Sequence, residues 1–142
     1  MVDVKTEVPA AMNAETCGDW VYDPFLWTKY AEDHGVAASA YRDQDVSMTV
    51  WNLLPGQEHS RHLHPERAHI IVVMTGTGLH LVGEADSVPI KAGDFIFVPR
   101  QTIHGILNNS DGPLSYATLS NNNQAQNVAV PVGAQVDNSA KK

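Results

Sequence analysis

Between residues 47 and 119 the chain reads as short apolar and β-branched runs, and most of them stop at glycine, proline or asparagine. The first run covers residues 48–54 and closes at a Pro-Gly pair. Six more follow, at residues 68–74, 79–82, 88–91, 95–98, 104–107 and 114–119. Short strands at even spacing with glycine and proline turns are typical of a β-sandwich or barrel. No amphipathic helical period competes here, so the sequence predicts an all-β fold.

The pattern changes on both sides of this region. Residues 1–45 carry a cluster of aromatic side chains: Trp20, Tyr22, Phe25, Trp27 and Tyr30. Such bulk is rarely left in water, so we expect this arm to pack on the sheet of its own subunit or on that of a partner. Residues 121–142 form a polar tail that we expect to be disordered or a loose strap, although three valines, Val128, Val130 and Val132, could add an edge strand. The predicted organisation is an arm (1–45), a β-barrel (46–120) and a tail (121–142).

Charge and composition exclude several classes of partner. The 142 residues suit one domain, and 16 acidic against 9 basic residues give a net charge of −7. That balance argues against nucleic acid and against an anionic membrane surface as partners. No apolar run is long enough to cross a membrane, and the N-terminus lacks the pattern of a secretory signal. Cys17 is the single cysteine and cannot form a disulfide within the chain, so we expect a cytoplasmic protein.

Four of the seven histidines have the spacing of a metal site. His62 and His64 are two residues apart, so on a strand their imidazoles share one face. His69 follows a Pro-Glu-Arg-Ala break, and His104 follows the turn after Pro99. Imidazole is the commonest metal ligand, and three or four on one concave face hold a divalent transition metal. The predicted metal ligands are therefore His62, His64, His69 and His104.

The other three histidines receive weaker assignments. His59 precedes His62 by three residues, which is the wrong parity to share its face on a regular strand, so we place it at the barrel rim. His34 reads as part of a surface turn. The orientation of His80, toward the pocket or toward solvent, stays open.

Residues 56–76 resemble the first signature of the cupin superfamily: Gly, five residues, His-x-His, three or four residues, Glu, six residues and Gly. Residues 93–108 resemble the second: Gly, five residues, Pro-x-Gly, two residues, His, three residues and Asn. The resemblance extends over about residues 47–119. The His-x-His-Pro run is similar to the one in germin-like cupins. It implies a single-domain jelly-roll β-barrel with one divalent metal at its mouth. It also implies a homodimer.

Two positions depart from the signatures. His69 stands where the family has its glutamate ligand, and Gln101 replaces the glycine of Pro-x-Gly. Four neutral imidazoles would leave the full +2 charge on the metal and favour anionic chelating ligands such as enolates. Alternatively, His69 does not ligate and the site is of the three-histidine type found in acetylacetone-cleaving and thiol-oxidising cupins. Because His69 replaces the glutamate that doubles as a base in some cupins resembling quercetin dioxygenase, a proton would be moved by a metal hydroxide, by the substrate, or by Glu58 or Glu66 if they face inward. No catalytic residue is assigned.

Strand parity also suggests a pocket wall. Ile71 and Val73 should face the same side as His69, and Ile106 the same side as His104. These residues would form an apolar substrate pocket or simply fill the barrel. The resemblance to quercetin and diketone dioxygenases favours an Fe(II)-dependent dioxygenase that acts on a small chelating enolisable or phenolic substrate. A non-redox cyclase, isomerase or lyase, similar to polyketide-cyclase cupins, is the alternative, and a non-catalytic ligand-binding cupin is a third. Iron is the expected metal, with zinc, nickel, manganese, copper and cobalt open.

Overall fold

A computed structural model describes residues 21–122 in full and the backbone of residues 4–7 and 128–129. The strands are β1 (Val4–Glu7), β2 (Gly35–Arg42), β3 (Val46–Leu53), β4 (Glu58–Leu63), β5 (His69–Thr75), β6 (Thr77–Val82), β7 (Asp86–Lys91), β8 (Phe95–Val98), β9 (His104–Leu107), β10 (Leu114–Asn121) and β11 (Val128–Ala129). They form a six-stranded sheet, β1-β2-β3-β10-β5-β8, and a five-stranded sheet, β11-β4-β9-β6-β7. The predicted all-β jelly-roll barrel is confirmed.

The first full strand of the barrel lies inside the segment predicted to be an arm. Residues 35–42 form β2, which pairs in antiparallel fashion with β3, so the barrel begins before residue 46. The sequence concealed this strand because its central residues are small and alanine has a low strand propensity. No apolar run marks β4 either, since its sequence, Glu-His-Ser-Arg-His-Leu, is almost entirely polar.

Part of the described aromatic arm packs on its own subunit, whereas Phe25 is 53% exposed. Trp27, in the 3₁₀ turn Pro24–Trp27, packs against a buried cluster of Ala40, Val50 and Ala117. The ring of Tyr22 lies 5.7 Å from that of Trp27 and 5.6 Å from that of Tyr41. Packing within the subunit therefore accounts for these two aromatic residues, whereas Trp20 lies outside the described residues.

The tail returns to the barrel as a short strand. Val128 of β11 pairs with Leu63 of β4, and Ala129 pairs with His62. An edge strand was one expectation for this segment; Val130 and Val132 lie outside the described residues.

The apolar core fills one end of the barrel. Leu53, Val73, Leu114 and Tyr116 are almost completely buried there, and they pack together with Ile71, Ile90, Val98 and Ile106. Because this end is filled, space for a ligand remains at the opposite end, where β4, β5 and β9 present their histidines.

The outer face of the six-stranded sheet carries an exposed apolar groove of about 750 Å³. Four exposed side chains contribute to it: Val46, Ile70, Phe97 and Leu119. No aspartate, glutamate, lysine or arginine is among the described residues that line it. We call this feature the outer groove. In the described residues there is no helix with the length and hydrophobicity that membrane crossing requires.

Candidate metal centre

Four histidines from three strand ends meet in one cluster. His62 lies near the end of β4 and His64 just after it, while His69 opens β5 and His104 opens β9. Their exposed fractions are only 4–6%. The ring centroids of His62 and His104 are 4.3 Å apart, and those of His64 and His69 are 4.2 Å apart. We call these four residues the histidine cluster.

Three members of the cluster have the closest arrangement for a shared ion. Ring nitrogens of His62, His64 and His104 lie within 4.8 Å of one another. His69 is adjacent, with its ring 5.2 Å from that of His104, but its nitrogens do not belong to this tightest group. The structure thus brings all four predicted ligands together, and the choice between a three-histidine and a four-histidine site stays open.

Backbone carbonyls fix the tautomers of two cluster histidines. Nδ1 of His62 lies 2.7 Å from the carbonyl oxygen of Ser60, and Nδ1 of His104 lies 2.9 Å from that of Thr102. A carbonyl oxygen only accepts hydrogen bonds, so each Nδ1 carries the proton and donates it. In a neutral imidazole the Nε2 lone pair is then free to bind a metal.

Unsatisfied nitrogens in the cluster indicate a missing ligand. Within the described part of the chain, Nε2 of His62 and both ring nitrogens of His69 are buried without a hydrogen-bond partner. A buried polar atom left in this state costs about 1–3 kcal/mol. A divalent transition metal would satisfy such nitrogens, so the residues present fit the metal that the sequence predicted.

Burial disfavours the charged form of three cluster histidines. Desolvation, the largest cause, and the neighbouring imidazoles together lower the pKa of His69 and of His104 to about 3. The pKa of His62 is also lowered, again mainly by burial. At neutral pH these rings are therefore unprotonated, as metal ligation requires.

A cavity of about 330 Å³ contains the histidine cluster in its wall. Ile71 and Ile106 line it, as the sequence predicted. Val73 does not: it is only 1% exposed, pairs with Tyr116 across the sheet and belongs to the apolar core. Parity placed Val73 on the same face of β5 as Ile71 but could not give its depth in the barrel, so Val73 is not among the described residues that line this cavity.

His59 is a cavity residue that the sequence argument placed at the rim. On β4, His59 pairs with Ile106 and His62 with His104, so three steps on β4 correspond to two on β9. This bulge turns both histidines to the same side. The His59 ring stacks 4.1 Å from that of His62 and 4.0 Å from that of Trp51. Alternation of faces holds only for a regular strand, and β4 is irregular between His59 and His62.

Gly105 was the one sequence signal that could have indicated this bulge. A Cβ atom at Gly105 would lie 2.6 Å from the carbonyl oxygen of His59, a distance that real side chains do not tolerate. Only glycine lets the bulged strand approach β9 so closely.

Several other candidates lie outside the cavity. His34 interacts with Asp33 at 2.6 Å, and His80 is half-buried on β6. Neither is among the residues that line the cavity, and neither Glu58 nor Glu66 is. The two glutamates considered as bases therefore do not reach the cluster from the cavity wall.

The rest of the wall is more polar than the sequence indicated. Two arginines, Arg42 and Arg67, line the cavity together with four hydroxyl side chains, Ser39, Thr49, Thr118 and Ser120. No carboxylate and no lysine is among the described residues of this wall. Strand register could not be read from the sequence, so these positions on β2, β3 and β10 were missed.

The family follows from a comparison over the same region. The family model described as the Cupin domain matches residues 49–120, which include all four cluster histidines. This chain is a cupin. The family resemblance that the two signatures suggested is thereby confirmed.

Several solved structures share the fold of this cupin, and the match to one of them covers more of the chain than residues 49–120. A Klebsiella pneumoniae protein, described as an uncharacterized conserved protein with a double-stranded beta-helix domain, is 20% identical with a TM-score of 0.71, covering 78% of this cupin and 97% of that chain. A putative sugar phosphate isomerase from Acidithiobacillus ferrooxidans is 26% identical with a TM-score of 0.53, covering 58% and 53%. A sugar phosphate isomerase from Silicibacter pomeroyi is 22% identical with a TM-score of 0.52, covering 56% and 52%. A search of curated proteins finds no match to this cupin.

The number of ligands can be tested by removing His69. We expect His69→Ala to weaken zinc binding by about 100-fold, because structural zinc sites with four ligands bind with about 10–16 kcal/mol, or roughly 3 kcal/mol per ligand. Competition with a chromophoric chelator measures the change. His59→Ala is the matched control, since it removes an imidazole from the same cavity that is not a predicted ligand. Equal zinc affinity in the two variants would favour the three-histidine site.

Proposed function

We propose that this cupin is an Fe(II)-dependent dioxygenase that acts on a small chelating enolisable or phenolic substrate. The observation that carries the proposal is the histidine cluster in a cavity whose described wall has neither a carboxylate nor a lysine. The metal would be held by His62, His64 and His104, with His69 as the fourth ligand. Bound iron would supply the redox chemistry for dioxygen and the positive charge that attracts an enolate or phenolate oxygen.

The chain's own residues would bind and orient the substrate. The hydrogen bonds from His62 and His104 to backbone carbonyls hold the ligand rings in fixed orientations. Ile71 and Ile106 give part of the wall an apolar surface that excludes water. Trp51, stacked on His59, offers a flat aromatic surface of the kind on which planar rings pack.

The composition of the wall favours redox chemistry over acid–base chemistry. Isomerisation and cyclisation need a protein group that moves protons, most often a histidine, a carboxylate or a lysine. The described wall has no carboxylate and no lysine, and burial lowers the pKa of His59, its imidazole outside the cluster, well below the ordinary value, which makes His59 a weak base. Oxygenation would place less demand on such a group, because the substrate would supply the electrons that dioxygen accepts and the bound metal would supply the redox chemistry.

A non-redox isomerase is the second candidate. The observation in its favour is the structural likeness to the putative sugar phosphate isomerase from Acidithiobacillus ferrooxidans. In that case the metal would act as a Lewis acid on a substrate with two adjacent oxygen atoms. Cyclase or lyase chemistry would use the site in the same way.

Metal content and oxygen consumption distinguish these functions. The purified protein is analysed for bound metals, reconstituted with Fe(II) or with Zn(II), and supplied with β-diketones and catechols in an oxygen electrode. We expect oxygen uptake by the iron form only. Tightly bound zinc without oxygen uptake by the iron form would contradict the dioxygenase and favour the isomerase. Absence of bound metal, with no rise in melting temperature when metals are added, would favour a non-catalytic ligand-binding cupin.

We also propose that this cupin is a homodimer in which two copies meet at the outer groove. Each chain carries a net charge of −7, so two copies repel one another wherever acidic surfaces approach. The described lining of the outer groove has no charged side chain, and Phe97 there is 70% exposed. A twofold interface places the same patch on both partners, so an uncharged apolar face suits it.

The mass of the protein in solution tests this interface. We expect light scattering to give twice the chain mass of 15.4 kDa for the wild type and the chain mass for Phe97→Asp. Val88→Asp is the matched control, because Val88 is also exposed but lies on β7 of the other sheet. A monomeric wild type would contradict the dimer and would leave this face to another segment of the chain or to a different partner.

A further inference from the structure

The cavity is positively charged in a negatively charged protein. Arg42 and Arg67 both line it, and no carboxylate is among its described residues, although the chain has 16 acidic residues in all. A metal in the histidine cluster would add two more positive charges. Such a concentration of positive charge raises the local concentration of anions.

Strand register places Arg42 on the same side of the barrel as the histidine cluster. Arg42 ends β2 and pairs with Ser47, which pairs with Ser120, which in turn pairs with His69. These four residues form one row across the six-stranded sheet. Arg42 is exposed at the far end of this row from His69, at the mouth of the cavity.

Arg67 approaches the same space from the segment between β4 and β5. It is half-buried and lies two residues before His69. Arg42 and Arg67 both line this cavity, so two guanidinium groups open onto the same space and repel each other. An anion bound between them would remove that repulsion.

Hydroxyl groups occupy the next row of the sheet. Ser39 pairs with Thr49, and Thr49 pairs with Thr118, so three hydroxyl side chains follow one another across β2, β3 and β10. All three line the cavity between the arginine row and the apolar core. They can donate hydrogen bonds to a ligand that extends from the arginines toward the histidines.

We propose that Arg42 and Arg67 form an oxyanion subsite, so that the substrate carries a carboxylate or phosphate group in addition to the oxygen atoms that chelate the metal. Guanidinium groups suit this role, because their donors match both carboxylate and phosphate oxygens. The part of the substrate that chelates the metal rests on the proposed function. The oxyanion subsite does not require it, since it is built from residues that are not metal ligands.

Three aromatic probes of the same size test the subsite: benzoate, phenyl phosphate and benzamide. Calorimetry on the metal-free and the zinc-loaded protein gives each affinity without any reaction. We expect at least one of the two anions to bind about tenfold or more tightly than neutral benzamide in both forms. The anion that binds more tightly distinguishes a carboxylate from a phosphate as the substrate group.

Variants assign the binding to the two arginines. Arg42→Gln and Arg67→Gln should each weaken anion binding by about tenfold or more, because each removes a charge-assisted hydrogen bond. Arg100→Gln is the matched control, since Arg100 is exposed outside the cavity and its loss changes the net charge equally. Arg67→Lys should retain more affinity than Arg67→Gln. Melting temperature and zinc stoichiometry show that each variant is folded, and the exposed Arg42 carries the test if Arg67→Gln is not.

Two results would overturn the subsite. One is equal affinity for the anions and for benzamide; the other is anion binding by Arg42→Gln and Arg67→Gln that matches Arg100→Gln. Failure of the dioxygenase proposal appears separately as an iron form that consumes no oxygen, and it leaves anion binding by the metal-free protein unchanged. Oxygen uptake with no anion preference would contradict the subsite alone.

Discussion

His104→Ala is expected to abolish stable metal binding, with a loss of affinity of about 100- to 1000-fold. The ring of His104 is buried, its Nδ1 proton is held by the carbonyl oxygen of Thr102, and its nitrogens lie within 4.8 Å of those of His62 and His64. Removing one ligand forfeits roughly a quarter of the binding free energy of a four-ligand site, which is about 10–16 kcal/mol for zinc. Equilibrium dialysis followed by elemental analysis measures the occupancy.

His34→Ala is the matched control for this loss. It also removes one histidine, but its side chain interacts with Asp33 and lies outside the cavity. The control should bind metal as the wild type does. Normal metal binding by His104→Ala would show that the histidine cluster is not the metal site, while loss in both variants would indicate a general effect on folding.

The metal-free protein is expected to lose about 3 kcal/mol of stability between pH 7 and pH 5.5. His69 and His104 have a pKa of about 3 in the folded state and about 6.5 when unfolded. Below pH 6.5 the unfolded chain therefore binds protons that the folded chain does not, so stability falls as the pH is lowered. At one pH unit below 6.5 each histidine contributes about 1.4 kcal/mol of this loss. The melting temperature should drop by roughly 10 °C.

Thermal unfolding followed by circular dichroism at several pH values measures this effect. The carboxylates with lowered pKa, Asp43 and Asp94, titrate below this range and do not account for it. The double variant with His69→Gln and His104→Gln keeps buried polar groups but removes both titrations, so its melting temperature should change less than that of the wild type; the remaining change comes from His59 and His62, whose pKa burial also lowers. A wild-type melting temperature that is the same at pH 7 and pH 5.5 would contradict the prediction.

Local pattern was enough to predict most of the barrel and the four histidines that the fold brings together. Seven predicted runs became strands because apolar and β-branched side chains packed into the core or onto the sheets, and turn residues marked their ends. The four cluster histidines could be predicted because their spacing is visible along the sequence itself. His62 and His64 are two residues apart, and His69 and His104 each follow a break in the chain.

The features that the sequence did not predict depend on contacts between segments that are distant in the chain. The alanines of β2 are buried by β3 and by the aromatic arm, which no local pattern shows. The bulge that brings His59 onto His62 exists only in the pairing of β4 with β9. Arg42 lines the cavity because of the register of β2 against β3, which the sequence does not show. Val73 lies deeper, in the apolar core, because depth along a barrel is a property of the whole sheet.

The pairing of the two chain ends has a consequence for solubility. An open sheet edge offers free N–H and C=O groups on which other chains can add a strand and aggregate. Here β1 covers the free edge of β2, and β11 covers β4 where it carries His62. On the edge strand β7, Pro89 has no N–H to offer. The short strands β1 and β11 thus protect two sheet edges against unwanted strand addition, and β11 does so beside His62 of the histidine cluster.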